Sequence, residues 1–311
     1  MQELDNKVRE NDFDDEIDLR EIFFALFKGR WTVFNSTALL LTIGIIYCLL
    51  LPNIYKSESL LAPVDESSSL LNSLGDYSSL AGLVGINLPD GESDGNSKKA
   101  FEVMSSLSFF EKIIMPKIFL PDLMAVKYWD YKKNIVIYDK DIYEENSDTW
   151  VRDFSYPEKL IPSAQESFEE FLNEHLNVVE DKKTGYVSLS IKHQSPFIAK
   201  QWVEVIFNEI NAFYRQKDKA ESEKAIAYLR KELAKTTFSE IKQVTASLIQ
   251  QEIQKLTLIE ANKDYVFEYI NPPSVMEEHI EPRRYLIIIL FTLFGGLLGV
   301  TIVLFRYFFK K

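Results

Sequence analysis

Two long apolar stretches lie near the ends of the chain, and the 233 residues between them are largely polar. Each stretch, Trp31 to Leu51 and Tyr285 to Phe305, has 21 residues without Asp, Glu, Lys, Arg or His. At about 1.5 Å rise per residue, each covers the roughly 30 Å hydrocarbon core of a bilayer, whereas a buried core helix is usually shorter and amphipathic. The pattern predicts transmembrane helices at 31–51 and 285–305, flanking one domain at 52–284.

Basic residues next to the two stretches predict their orientation, because Lys and Arg close to a span resist translocation. Six lie on one side and three on the other, so residues 1–30 and 306–311 are expected in the cytoplasm and the domain outside it. The first stretch is too long and too far from the N-terminus for a cleaved signal peptide. The six are Arg20, Lys28, Arg30, Arg306, Lys310 and Lys311, and the three are Lys56, Arg283 and Arg284.

The domain mixes strand and helix patterns, which predicts an α/β fold. Ile54 to Pro63 is typical of a strand, and Leu176 to Asp181 with Tyr186 to Lys192 predicts a β-hairpin with one polar face. Tyr265 to Ile270 predicts a last strand that returns beside the first. Ser163 to Glu166 forms a capping box that begins a helix.

A very long helix is predicted after Ser195 as N-cap and Pro196 as first helical residue, since no Gly or Pro follows until Pro272. Continuous to Ile259, it would extend roughly 95 Å. A narrow apolar seam along it favours packing between subunits, the alternative being a monomeric coiled-coil stalk. The seam comprises Ile226, Leu229, Leu233, Ile241, Val244 and Leu248, with Thr237 in the same row.

Three other segments carry weaker signals. Asp18 and Glu21 can cap a short amphipathic helix before the first span, which would serve as an interfacial anchor or dock a cytoplasmic partner. Residues 123–157 are rich in aromatic side chains, which either hold a loop-rich region in place or contact glycan. Gly295 and Gly299, four apart, permit close packing on the first span or on a partner protein.

Composition argues against several functions. The formal net charge is −12, and residues 52–284 hold 38 acidic and 27 basic residues, which disfavours binding to nucleic acid. The only cysteine, Cys48, lies inside the first apolar stretch, so the domain has no disulfide. Its three histidines, His175, His193 and His279, lack metal-ligand spacing, and no nucleotide-binding loop occurs. We therefore expect no enzymatic activity, no metal and no cofactor.

Motifs at both ends of the domain resemble the chain-length determinant family, the Wzz-type polysaccharide co-polymerases. The N-terminal match runs from Asp15 to Trp31 and continues with Tyr55, Ser57 and Pro63 after the first span. The run Leu80 to Ile86 is similar to a Leu-Ala-Gly loop of that family. The C-terminal match comprises Ile270, Asn271, Pro272, Pro273 and Val275, then Pro282 and Arg284, leading into a Gly-rich span.

The resemblance implies a periplasmic domain with a small mixed sheet near the membrane and a very long projecting helix, assembled as a homo-oligomer in the bacterial inner membrane. It implies a non-enzymatic regulator of surface polysaccharide chain length. The expected partners are a membrane polysaccharide polymerase, an undecaprenyl-linked glycan, the lipid bilayer and other copies of the chain. Lipopolysaccharide O antigen is the most common polymer in the family, while enterobacterial common antigen and exopolysaccharide or capsule regulators share its motifs.

Two other classes share parts of this layout. A sensor or chemoreceptor also has two spans and an external helical domain, but it needs a cytoplasmic signalling domain, for which the six residues after the second span leave no room. A periplasm-spanning adaptor of an export machine could use a long helix, but it commonly lacks a second span.

Overall fold

The computed structural model describes residue 24 and residues 26–64 and 94–309, with backbone alone for residues 94–96 and 98. These residues form two compact units, one from the two ends of the chain up to 52 and from 281, the other from 53 to 280. The expected helix capped by Asp18 and the run Leu80 to Ile86 lie outside the described residues.

The first unit is a pair of apolar helices, α1 (Arg30–Leu50) and α8 (Arg284–Phe308). Both are long and apolar enough to cross a membrane. They run antiparallel, since Gly299 lies against Val33, and Cys48 lies near Arg284 at the other end. The helices begin one residue earlier than the predicted spans, and α8 continues three residues further.

The second unit is built on a four-stranded sheet in the order β6-β7-β1-β8. The sheet was expected to be mixed, but every described pair of strands is antiparallel. β1 follows α1 and β8 leads back towards α8, so these neighbours run in opposite directions, while a short turn joins β6 to β7. The strands are β1 (Tyr55–Pro63), β6 (Leu176–Glu180), β7 (Val187–His193) and β8 (Phe267–Asn271).

Short helices and two small hairpins fill the chain between β1 and β6. The helices are α2 (Asp94–Met104), α3 (Leu107–Phe109), α4 (Leu120–Met124) and α5 (Ala164–Glu170), with π-helical turns at Phe110–Ile114 and Phe171–His175 and a 3-10 turn at Met115–Lys117. The hairpin strands are β2 (Val126–Asp130), β3 (Ile135–Tyr138), β4 (Tyr143–Glu144) and β5 (Thr149–Trp150). The predicted cap of α5 is confirmed, because Ser163 Oγ accepts from Glu166 N at 3.2 Å.

The expected continuous helix from 196 to about 260 is wrong: it is two helices, α6 (Pro196–Lys235) and α7 (Ser239–Ala261). The backbone is extended at Thr236 and at Phe238, and the chain turns back there. Lys219 forms an ion pair with Glu260, so the two helices form an antiparallel hairpin, the arm. No Gly or Pro marks the break; β-branched Thr236 and Thr237 are poor helix formers, and packing of α7 back on α6 selects the turn.

The N-terminal half of α6 covers the sheet and forms the core of the second unit. Its buried residues step by threes and fours along one helix face, as an amphipathic helix requires. Ser195 precedes the helix, but its side chain makes no cap hydrogen bond. The fully buried side of this half-helix contains Ala199, Trp202, Val203, Ile206 and Ile210.

Candidate functional site

The arm buries polar residues between its helices and leaves several large apolar residues exposed on its outside. Where its helices face each other, the buried residues include Ser222 and Thr245 beside Ile226, which is 8% exposed. Ile241, Val244 and Leu248 are 50%, 61% and 42% exposed. The contact between the two helices therefore leaves these three apolar side chains partly in solvent.

The six predicted seam residues therefore do not form one continuous row. Ile226 is buried in the arm and Leu229 and Leu233 are half-buried on α6, whereas the other three are exposed on α7. The exposed residues instead form what we call the arm surface, which sequence periodicity on a single helix could not find. It comprises Tyr228, Phe238, Ile241, Val244, Leu248 and Ile253.

We call the end of the arm where the chain leaves α7 for β8 its root. Asn211, which the sequence analysis did not single out, holds the chain in place there. Its side-chain oxygen accepts from the backbone N–H groups of Tyr265, Val266 and Phe267 at 3.0, 2.7 and 3.0 Å. Its amide nitrogen donates to the carbonyl oxygens of Phe207 and Phe267 at 3.2 and 3.0 Å. A buried amide on the core face of α6 thus fixes the chain that leaves α7. The sequence signal that could have identified this residue is an Asn directly after Ile210 in the predicted helix.

Gly295 and Gly299 lie where α8 meets α1. A Cβ atom on Gly295 would lie 2.8 Å from Thr37 Cα, and one on Gly299 would lie 2.7 Å from Val33 Cα. Such distances leave no room for a side chain, so the two backbones approach closely. Ser36 Oγ also donates across the pair to the Gly295 carbonyl oxygen at 2.9 Å. Of the two predicted partners for this glycine face, the structure brings it against the first apolar helix.

The family-motif residues of the second unit lie around β1. Tyr55 packs edge-on against Trp129, with ring centroids 5.5 Å apart. Ser57 Oγ donates to the Ser274 carbonyl oxygen at 2.9 Å, just after Pro272 and the buried Pro273, and Pro63 pairs in register with Phe267. Ile280 N donates to Ile54 O at 2.8 Å. The two ends of the domain's chain are therefore held together.

Pro282 and Arg284, the remaining motif residues, belong to the first unit. Arg284 N donates to the Pro282 carbonyl oxygen at 2.9 Å, and Arg284 begins α8.

Two histidines that are distant in sequence pack together in the core. The rings of His175 and His193 lie 5.6 Å apart, both against Trp202. His193 Nδ1 accepts from Ser195 N and its Nε2 donates to the Asp122 carbonyl oxygen, both at 2.9 Å. Burial lowers the pKa of His193 to about 4, and burial also lowers the pKa of His175. Both are neutral structural groups at neutral pH.

A carboxyl group and a phenol group with raised pKa values form a structural hydrogen bond. Burial raises the pKa of Asp122, whose carboxylate accepts from Tyr138 Oη at 2.6 Å. Burial likewise raises the pKa of Tyr138. Among the residues that the structure describes, no group of three or more His, Cys, Asp or Glu could hold a metal ion.

The described residues thus comprise two paired apolar helices from the chain ends and, between them in sequence, an α/β domain with a helical arm. Residues 15–115 match the family model of Wzz, the chain length determinant protein. The match confirms the Wzz-type resemblance over these residues. A sequence comparison with curated proteins gave no match.

Solved structures of polysaccharide co-polymerases are similar to the chain. A full-length bacterial polysaccharide co-polymerase is 14% identical, with 95% of this chain and 98% of that chain covered and a TM-score of 0.43. A fragment of the co-polymerase WzzB from Salmonella Typhimurium is 14% identical, with 74% and 100% covered and a TM-score of 0.31.

A mutant of the Shigella flexneri lipopolysaccharide O-antigen chain-length regulator WzzBSF is 12% identical, with 73% of this chain and 99% of that chain covered and a TM-score of 0.25. Every TM-score is below 0.5, so these superpositions carry no argument, and the similarity to the family is carried by the sequence match at residues 15–115.

Proposed function

We propose that the protein regulates the chain length of a surface polysaccharide, lipopolysaccharide O antigen, as a non-enzymatic oligomer of the bacterial inner membrane. The observation that carries this proposal is the match of residues 15–115 to the Wzz chain length determinant family. It acts with a membrane polysaccharide polymerase on an undecaprenyl-linked glycan, as the family resemblance implies.

The apolar helix pair anchors the protein. Helices α1 and α8 each suffice to cross a bilayer, and six basic residues flank one side against three on the other. This bias supports two spans with both termini in the cytoplasm and the domain in the periplasm.

The arm supports assembly of several copies. Its exposed apolar residues, Val244 among them, have little to pack against within one chain. In a water-filled compartment that surface is stabilised when it is buried against other copies. Control of glycan length then depends on the shape of the assembly and on how it holds the polymerase.

The test is a glycan ladder from a deletion strain complemented with the wild type or with single alanine variants. Deletion should remove the modal length of O antigen, and the wild type should restore it. Alanine at each Asp, Glu or His across residues 52–284 should shift the modal length gradually while polymerisation continues. The amount of assembled protein in the membrane is measured for every variant.

Two outcomes would contradict the proposal. One carboxylate or histidine whose loss abolishes polymer, with the protein still assembled, would overturn the non-enzymatic function. An unchanged O-antigen ladder in the deletion strain, with altered enterobacterial common antigen or exopolysaccharide, would overturn the choice of O antigen.

A further inference from the structure

The β2–β3 hairpin carries basic and aromatic side chains on an otherwise acidic domain. Residues 126–138 hold three lysines and one acidic residue, whereas residues 52–284 hold 27 basic and 38 acidic residues. Tyr131 at its tip is 70% exposed, and Lys132 and Lys133 beside it are exposed. Tyr128 and Ile135 are also large exposed residues.

Hydrogen bonds order the tip of this hairpin. Asp130 Oδ1 accepts from Lys132 N at 2.9 Å, and Trp129 Nε1 donates to Asn134 Oδ1 at 3.1 Å. Asn134 has a φ of 53°, a left-handed conformation that Asn tolerates better than most residues. Lys132 Nζ lies 5.9 Å from the centre of the Tyr131 ring. The basic and aromatic groups are thus presented together on an ordered turn.

The hairpin is attached to the part of the domain nearest in sequence to α1. Trp129, on its other face, contacts Tyr55 and lies 6.3 Å from the Phe197 ring. Tyr55 follows Leu51 by four residues, and four extended residues span at most about 14 Å. The tip is two residues beyond Trp129, so the hairpin is tied to the segment of the domain that follows that apolar stretch most closely in sequence.

We propose that the β2–β3 hairpin binds the surface of the bilayer, with Tyr131 at the headgroup level and Lys132 and Lys133 on phosphates of anionic phospholipids. This inference rests on the proposed insertion of α1 and α8. Tyrosine rings prefer the membrane interface because one end is apolar and the other polar, and lysines near anionic lipid are attracted electrostatically. The lysine pair favours phosphate over a neutral sugar as the bound group. Three points of attachment would then fix the domain on the membrane.

The chain contains a matched control in the β6–β7 turn. That turn also has a lysine pair, Lys182 and Lys183, and Asp181 Oδ1 accepts from Lys183 N at 2.9 Å, as at the β2–β3 tip. In the register of the sheet, Tyr55 pairs with His193 and Leu61 pairs with Val187. The control turn therefore lies at the end of β1 opposite to Tyr55.

The experiment uses the full-length protein with Cys48→Ser in nanodiscs of phosphatidylethanolamine and phosphatidylglycerol. A spin label is attached at Tyr131→Cys, at Lys183→Cys or at Ile43→Cys in α1, and its depth is measured from its accessibility to oxygen and to a water-soluble nickel complex. We expect interfacial depth at 131, full water exposure at 183 and hydrocarbon depth at 43. Lys132→Glu with Lys133→Glu should move the label at 131 into water, and Lys182→Glu with Lys183→Glu should leave it unchanged.

The outcomes separate this inference from the proposed function. A label at 131 as exposed to water as the one at 183, with the label at 43 in hydrocarbon, overturns the hairpin proposal and leaves membrane insertion intact. A label at 43 in water overturns insertion itself. Protection at 131 that requires added lipid-linked glycan would identify glycan as the occupant and overturn binding to phospholipid.

Discussion

The chain contains two antiparallel helix pairs that are built in opposite ways. In the pair α1–α8, Gly295 and Gly299 let the backbones touch, and the rest of the surface is apolar. In the arm, α6–α7, polar Ser222 and Thr245 are buried between the helices, while Val244 is exposed. A lipid environment suits the outer surface of the first pair, but water does not suit the large apolar residues exposed on the second.

The difference shows where each pair obtains its stability. The apolar pair has close packing within one chain. The arm has less close packing of this kind. Its stability depends on its root, where Asn211 ties α6 to the chain that follows α7, and on contacts that other copies would supply. Substitutions at the root should therefore cost much more unfolding free energy than substitutions along the arm surface.

The largest effect is expected at the root. Asn211→Ala leaves three buried backbone N–H groups without their acceptor, and an unsatisfied buried group costs about 1–3 kcal/mol. We expect a loss of unfolding free energy of about 4 kcal/mol, measured by urea unfolding of the full-length protein in detergent with tryptophan fluorescence. Asn208→Ala, at an exposed position of the same helix, is the control and should change it little. Equal effects of the two would refute the root's role.

The next largest effect is expected from acid, and it acts at the opposite end of β1, where His193 pairs with Tyr55. The pKa of His193 falls from 6.5 to about 4 on folding, so below pH 6.5 the unfolded chain binds a proton that the folded chain refuses. Stability is therefore complete above pH 6.5 and is lost progressively towards pH 4, by about 3 kcal/mol at a cost of 1.36 kcal/mol per pKa unit. The lowered pKa of His175 acts in the same direction.

The check is the urea midpoint of the full-length protein between pH 7 and pH 4. His193→Gln should flatten this dependence, whereas His279→Gln, at an exposed position, should retain it. An unchanged slope in His193→Gln would assign the acid sensitivity to other groups.

A smaller effect is expected in the apolar pair. Gly299→Ala places a Cβ atom 2.7 Å from Val33 Cα and forces the helices apart, and overpacking of this kind costs about 1–3 kcal/mol. Hydrophobicity does not fall, so insertion should survive while the glycan ladder broadens or shortens. Gly296→Ala is the control, because the nearest atom to its Cβ would be Thr37 Oγ1 at 3.9 Å. A normal modal length in Gly299→Ala would make this face a spacer only.

The smallest change in unfolding free energy is expected on the arm surface. Val244→Glu alters an exposed residue, so the change should be within about 0.5 kcal/mol. The assembly should nevertheless disperse, because a carboxylate would be buried between copies, and length control should be lost with it. Native mass measurement in detergent gives the subunit number, with Gln243→Glu at the neighbouring exposed position as the control. An intact oligomer in Val244→Glu would exclude this surface as an interface.

The sequence predicted correctly those helices and strands that are determined by residues close together in the chain. The two apolar helices follow from uncharged runs of sufficient length, and the β6–β7 hairpin follows from alternation around a short turn. The pairing of β1 with β8 was also predicted, because the two apolar helices place both strands at the ends of the domain. The helices and the β6–β7 hairpin needed no information about distant contacts.

The features that the sequence did not reveal depend on contacts between distant residues. The turn at 236–238 lacks Gly and Pro, and it forms because α7 packs on α6. His175 and His193 meet only through the register that pairs Leu176 with Ile191. The role of Asn211 requires three N–H groups more than fifty residues away.

The turn at 236–238 also makes the reach of the arm independently adjustable. The 40 residues of α6 extend about 60 Å, and α7 brings the chain back to the sheet from which α6 departs. Two extra turns, roughly seven residues, added to both helices would move the tip outward by about 10 Å while preserving which sides face each other. Asn211, the sheet and the apolar pair would be unaffected. Insertions or deletions of equal length in both helices would thus change how far the arm extends without changing the sheet.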